Sequence, residues 1–392
     1  MECTAPTARP STCPVDPASV AAAFAHVPDP RRRASIQYPL PAVLGLAVCA
    51  ILCARTSVLA MAEWGSQQSG ELLSALGFPA GRTPCQSTLQ RLFARLDPAA
   101  LSAACQQCFA GAAPRERGAE GVAIDGKAQR GRLQYEPAGS PVHALVAVCH
   151  ERGVVLAQEP IRRGTDKAEA ELTVAPILIS RLDWHGRVLT GDALHCQQHL
   201  CEQVLAAGGD YLLVVKANQR RLLGDLERCF ALPLDLVDRR VAVTVDQGHG
   251  RTAERRTLIA TTDLEGYLTW PGHAQVFQLT RVWTEHGRRH EQVCYGVTSL
   301  LPEIGTAERL VALKRGHWCI ENRAHRTKDV NFGEDASLVH VGAGPTIVAM
   351  LRDAALSLLR AAGITQIAAQ LRRHSQHPQE ALALLLSSPT HA

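Results

Sequence analysis

Glu321 sits in the middle of a run of bases and imidazoles. The run reads Arg315-Gly-His-Trp-Cys-Ile-Glu-Asn-Arg-Ala-His-Arg-Thr-Lys-Asp-Val-Asn-Phe-Gly-Glu-Asp335. Leu310, Leu313, Ile320 and Ala324 recur at helical spacing and predict one apolar stripe. At about 100° per residue, Lys314, His317, Glu321, His325 and Lys328 then fall within an arc of roughly 80°. Such a stripe has two readings. It is either a solvated face with i,i+4 ion pairs, each contributing a few tenths of a kcal/mol, or a metal-binding carboxylate flanked by groups that hold phosphates. The second reading requires partner acids, and Asp125 and Asp192 supply them. Each is expected to close a short apolar strand, Val122-Ala-Ile-Asp125 and Arg187-Val-Leu-Thr-Gly-Asp192, with a glycine directly beside it. Neighbouring strands deliver their last side chains to a shared rim, where α/β folds place chemistry. An acid from a packed helix would complete an oxygen site suited to Mg²⁺. Two such ions about 3.5–4 Å apart can activate a water or a 3′-hydroxyl in phosphodiester chemistry. Taken singly, an Asp after a strand also reads as a turn residue or helix cap; the three acids in this order of elements are what point to a metal.

Other groups compete for these roles. Asp329, Glu334 and Asp335 are alternatives to Glu321 as the third acid, while Glu169 and Glu171 read as exposed helix acids. His195, Cys196, His199 and Cys201 cluster after Asp192 and could mimic a zinc site, although an adjacent Asp favours oxygen ligands. Cys105 and Cys108 form the one CxxC, with no second pair at zinc-ribbon distance.

The elements expected to position these residues fall into regimes. Residues 1–20, rich in Pro, Ser, Thr and Ala, are expected to be loose. Residues 21–115 predict an all-helical domain. Within it a loop at 77–84 precedes a polar helix bearing Arg91, the pattern of a helix-turn-helix reader of DNA. Residues 119–237 alternate strands and helices in the order β-β-β-α-β-α-β-α, which predicts a mixed sheet with helices on its faces. Residues 238–298 read as a β-rich insertion, 299–365 as the second part of the core with the Glu321 helix, and 366–392 as a C-terminal tail.

Bulk composition adds limits. Lys plus Arg total 41 against 37 Asp plus Glu, a net charge of +4 that is too small to establish nucleic-acid binding by itself. Thirteen cysteines without framework spacing predict reduced thiols. Residues 34–54 carry no charge, but the clean apolar part, Ala42 to Ala54, falls short of the roughly 20 residues of a spanning helix and predicts a buried core helix. No signal peptide is visible.

Together these residues resemble a known family, the DDE-type bacterial insertion-sequence transposases, in the ISAs-type branch often labelled H-repeat-associated proteins. The resemblance is carried by Ala123-Ile-Asp-Gly-Lys127 with Arg130-Gly131, by Leu189-Thr-Gly-Asp-Ala193, and by Gly209-Asp-Tyr211 with Lys216-Ala-Asn-Gln219. It continues in Gly248-His-Gly-Arg251 with Glu254 and Arg256, and in Arg315-Gly-His-Trp318 with Ile320-Glu-Asn322, His325, Asp329-Val330, Phe332 and Glu334-Asp335. Pro28-Asp-Pro-Arg31, Tyr38-Pro-Leu40 and Ala62-Glu-Trp64 match the preceding domain of that branch, so the resemblance covers about residues 22–375.

The resemblance implies an RNase H-like α/β core with a β-rich insertion before the last acid. It also implies catalytic and metal-binding roles for Asp125, Asp192 and Glu321, with two Mg²⁺ ions for which Mn²⁺ substitutes. The implied activity is metal-dependent DNA cleavage and strand transfer on double-stranded transposon ends and target DNA, by copies self-associated on paired ends in the bacterial cytoplasm. Rival readings are a catalytically silent DNA-binding descendant and an RNase H-fold nuclease without strand transfer. Expected DNA contacts are Lys127, Arg130, Lys216, His317, His325, Lys328 and Arg91. Lys328 occupies the family's basic position seven residues after the Glu. Lys314 and His317 stand where related transposases carry Tyr and Arg, and Arg326 stands where many relatives carry Trp.

Overall fold

The computed structural model describes residue 16 and residues 18–109, 116–128, 142–161, 167–232, 238–248 and 251–389. Arg130 lies outside them. The chain divides into two compact units. One holds the described residues of Met1–Phe109 and Arg326–Ala392; the other holds those of Ala110–Ala128 and Ala138–His325. In this division the described residues from Arg326 onward group with the N-terminal helices.

The helical unit is built around Leu40–Leu52, in which every residue but Pro41 is buried. Its uncharged sequence is thus explained by burial on all sides, and no helix among the described residues is long and apolar enough to cross a membrane. Helices Val58–Ser66, Gly344–Ala361, Ile367–Gln376 and Pro378–Leu386 pack on it. Lys328 belongs to this unit. Its side chain is 1% exposed and its ammonium lies 2.7 Å from Asp353 and 3.4 Å from Glu334, which are buried as well.

The second unit is a nine-stranded sheet among the described residues, in the order β3-β2-β1-β4-β5-β9-β8-β7-β6. The strands are β1 Glu120–Ala128, β2 Val142–Cys149, β3 Val155–Pro160, β4 Arg187–Gly191 and β5 Asp210–Val215, then β6 Arg240–Gly248, β7 Arg251–Thr261, β8 Gln275–Glu285 and β9 Arg288–Thr298. β1, β2 and β3 are antiparallel, whereas β1, β4 and β5 run parallel. Two parallel steps after an antiparallel meander are the RNase H-like arrangement. The four later strands do not stand apart from this core. β9 pairs antiparallel with β5, Leu212 opposite Thr298, so the insertion continues the core sheet.

Helices Lys167–Ser180 and Gln198–Ala206 pack against β2, β3 and β5. Helix Ala307–Gly316 packs through Ala307, Leu310, Val311 and Leu313 onto Val188, Leu212, Ala242, Leu258 and Phe277 of five strands. Leu310 and Leu313 are fully buried, each worth about 1.5–3 kcal/mol relative to exposure.

The expected single α-helix through Glu321 is not continuous. Ala307–Gly316 ends in a turn at His317 and Trp318, Ile320–His325 forms a π-helical turn, and Arg326–Phe332 resumes the α-helix in the other unit. The 100° spacing therefore fails across the stretch. Lys328 leaves the stripe and, being buried between two carboxylates, does not present its charge to a phosphate. Removing one member of a buried ion pair leaves the others uncompensated. Lys328→Ala is therefore expected to lower stability by about 3–5 kcal/mol, where an exposed lysine would cost about 1 kcal/mol at most. The shift in urea midpoint between wild type and variant measures the difference.

Candidate active site

Two acids come from adjacent parallel strands. In the β1–β4 ladder Glu120 faces Arg187 and Ala123 faces Thr190. Carrying that register on by two residues sets Asp125 opposite Asp192. The two do not reach the rim in the same way. β4 stops at Gly191, just before Asp192, but β1 continues to Ala128, so Asp125 lies inside its strand, paired with Val146 of β2. Asp125 was expected to close its strand; it reaches the rim because the strand beside it is shorter. Strand alternation puts Val188, Thr190 and Asp192 on one face. Helix Ala307–Gly316 covers that face, since Val188 is in its apolar contact and Thr190 lies 3.3 Å from His317 Nδ1.

Four contacts fix this helix and the turn after it. Thr306 caps its first turn by accepting from the amide of Arg309. The Arg309 guanidinium donates to the carbonyls of Gly118 and Ala119 ahead of β1, at 2.8 and 2.7 Å. Arg323 in the π-helical turn donates to the carbonyls of His150 and Glu151 after β2, at 3.0 and 2.8 Å. Between these anchors the His150 ring is wedged against two glycines. A Cβ added at Gly316 would lie 2.2 Å from His150 Nδ1, and one at Gly121 would lie 2.3 Å from it. His150 Nε2 is 2.8 Å from the Thr190 hydroxyl. Burial, and the positive charges of Arg309 and Arg323, push the His150 pKa down to about 3. Burial and nearby Lys314 do the same to His317. Both rings are therefore neutral at physiological pH. His317 packs beside Thr190, and its lowered pKa disfavours the cationic form.

The result brings Asp125 and Glu321 together, with His325 between them. His325 Nδ1 lies 3.3 Å from Glu321 Oε2 and 3.8 Å from Asp125 Oδ2. One ligand atom from each of the three lies within 4.8 Å of the others, and among the described residues this is the group able to share a metal ion. Two carboxylate oxygens and an imidazole nitrogen are a donor set that fits a divalent cation. The side chains of Asp125, Glu321 and His325 are 31%, 54% and 4% exposed, so the pair of acids faces solvent over a buried imidazole.

Asp192 is outside that group. Its Oδ1 accepts from the amide of Leu194 at 2.9 Å and from His195 Nδ1 at 3.0 Å. His195 is fully buried, with Nε2 3.8 Å from Glu171. Partial burial pushes the Asp192 pKa up, but His195 and the two backbone amides outweigh it and hold the carboxyl at about 2. Asp125 is shifted the other way, chiefly by burial, and His325 offsets this only in part. Sequence reading missed the contact of His195 with Asp192 and the burial of Glu171 beside His195. Glu171 was expected to be exposed and is buried. Asp192 three residues before His195 was the available signal for half of it.

Of the other expected groups, Lys127 is 6% exposed, while Lys216 and Arg91 are exposed. His325 is buried against the two acids. Cys196 and Cys201 are buried thiols whose pKa values are raised by burial, that of Cys201 to about 12. Cys108 is raised in the same way to about 11. Among the described residues neither cysteine cluster forms a group close enough to share a metal ion, and every cysteine among them is free.

Residues 116–357 match the transposase DDE domain, and residues 21–109 match the DDE_Tnp_1-associated domain. The chain belongs to the transposase DDE domain family. An uncharacterized protein in the dhlA 3′ region of Xanthobacter autotrophicus is 33% identical over 254 residues, 64% of this chain and 83% of that protein. The putative transposase YncI of Escherichia coli O157:H7 is 26% identical over 349 residues, 85% of each chain. The H repeat-associated putative transposase YhhI of Escherichia coli K12 is 25% identical over 344 residues, 85% of this chain and 88% of that one.

The glycine contact can be tested directly. Gly316→Ala should destabilise the protein by about 1–3 kcal/mol, the usual cost of overpacking. In the double variant Gly316→Ala, His150→Ser the added methyl should cost measurably less, giving a coupling of about 0.5 kcal/mol or more in a double-mutant cycle. Additive stability losses would show that the two residues do not share the contact.

Proposed function

We propose that the protein binds the terminal inverted repeats of its own insertion sequence, pairs two ends as an oligomer, cleaves the DNA and joins the freed 3′-end to target DNA. The observation that carries this reading is the convergence of Asp125 and Glu321, with Asp192 in register beside them, in a chain of the transposase DDE domain family. In this reading Asp125, Asp192 and Glu321 hold two Mg²⁺ ions, with Mn²⁺ able to substitute. Bound divalent ions supply positive charge that polarises the phosphodiester and acidifies the attacking hydroxyl. The protein's part is placement. His195 aims the Asp192 carboxylate and keeps it ionised. Arg323 and the His150 wedge hold Glu321 against β1. Lys216, exposed directly after β5, and Arg130 are proposed to meet phosphates. End recognition is assigned to the helical unit through Arg91, and its strength should fall steeply as salt rises.

Asp125→Asn, Asp192→Asn and Glu321→Gln are each expected to reduce metal-dependent cleavage of end DNA by roughly a hundredfold or more. Gel-shift affinity for the same DNA should stay near wild type. Cleavage by Glu321→Gln at the wild-type rate would remove Glu321 from the site. Loss of DNA binding by all three would make the acids structural. Inverted repeats flanking the gene, with short target duplications outside them, distinguish transposition from simple nuclease action.

A further inference from the structure

We propose that His325 is a metal ligand through Nδ1, so that Asp125, Glu321 and His325 form a two-carboxylate, one-imidazole centre that binds Mn²⁺ in preference to Mg²⁺. The proposal rests on the reading of this site as a metal centre and specifies its donor set. One ring nitrogen faces two carboxylate oxygens at once, Glu321 Oε2 at 3.3 Å and Asp125 Oδ2 at 3.8 Å. Charge-assisted N–H···O bonds run at about 2.7–2.9 Å, so neither separation is that of a committed hydrogen bond, and a single N–H cannot point at both oxygens. Cis ligands of an ion with bonds of about 2.1 Å lie roughly 3 Å apart; the 3.3 Å separation is near that spacing, and the 3.8 Å one would have to shorten on binding.

The rest of the ring supports the same reading. The side chain is 4% exposed, so its nitrogen is not displayed to a DNA backbone. Nε2 is buried and has no hydrogen-bond partner among the described residues. No acceptor therefore competes to turn the ring, and Nδ1 remains the nitrogen aimed at the acids. The π-helical turn Ile320–His325 presents Glu321 and His325 to the same point above β1, and turns of this type are frequent at functional sites.

A nitrogen donor changes which ion the centre prefers. Mg²⁺ is a hard ion that takes oxygen ligands and keeps its waters. Imidazole favours transition ions, among which Mn²⁺ shares with Mg²⁺ an affinity for carboxylates. His325 would thus favour Mn²⁺ at a site whose two acids alone would serve either ion.

The test uses the metal-free full-length protein titrated with Mn²⁺ and read by electron paramagnetic resonance, with electron spin-echo modulation reporting ¹⁴N bound to the ion. Wild type should show ¹⁴N modulation. His325→Gln should abolish it and weaken Mn²⁺ binding by at least the ~10-fold typical of losing even an outer-shell partner, with a smaller change for Mg²⁺. His195→Gln should keep the modulation, which excludes the other nearby imidazole as its source. Mn²⁺ bound in an Asp125-dependent way without ¹⁴N modulation would overturn the ligand assignment and leave the metal centre standing. Failure of wild type to bind Mn²⁺, or binding indifferent to Asp125→Asn and Glu321→Gln, would overturn both. Because His325→Gln can also disturb folding, thermal denaturation of metal-free wild type and variant accompanies the titration; with equal melting temperatures the affinity loss belongs to the ligand.

Discussion

Helix Ala307–Gly316 can lie against β1 and β4 because the backbone of Gly316 and that of Gly121 leave room for the His150 ring between them. The rest of the site depends on this approach. A side chain at either position would push the helix off the sheet and carry the π-helical turn with it. Buried leucines supply the attraction and the two glycines set the distance. Arg309 and Arg323, each bound to a pair of main-chain carbonyls, fix the placement along the sheet at both ends. Glu321 is thereby held near Asp125 although its own side chain is 54% exposed. The exposed acid is positioned by buried neighbours.

Burial also sorts the charged and titratable groups of the Glu321 stretch into different tasks. His317 loses its charge and becomes part of the Thr190 and His150 network. Lys328 keeps its charge but gives it to Asp353 and Glu334 in the helical unit, where carboxylates on two sides raise its pKa despite burial. Only Glu321 and His325 remain with Asp125. The two strand acids differ as well. Asp192 is clasped by His195 and two amides and is ionised down to low pH, whereas Asp125 is held less strongly in its charged form. Two acids from neighbouring parallel strands thus sit in different electrostatic environments.

The sequence by itself determined a good deal of this protein. Apolar runs bounded by turn residues marked most of the strands, and four in the region 238–298 were legible between turns rich in Gly and His. The three acids stood out because two followed apolar segments beside glycines and the third lay in a periodic helix. Local periodicity is enough for such features because each depends on residues close in the chain. What it did not determine is everything that depends on contacts between distant segments. The pairing of β9 with β5, which makes the insertion an extension of the core sheet, is decided by hydrogen bonds between residues some 85 positions apart, as between Leu212 and Thr298. The stripe of Lys314, His317, Glu321, His325 and Lys328 assumed an unbroken α-helix; a π-helical turn and a change of unit at His325 broke it, and no property of five polar residues revealed which would be buried. Glu171 came beside His195, the partner of Asp192, only when helix Lys167–Ser180 packed on the turn after β4. Spacing along a chain states which groups are able to meet, but burial decides which keep their charge and which face water, and burial exists only once the tertiary structure has formed.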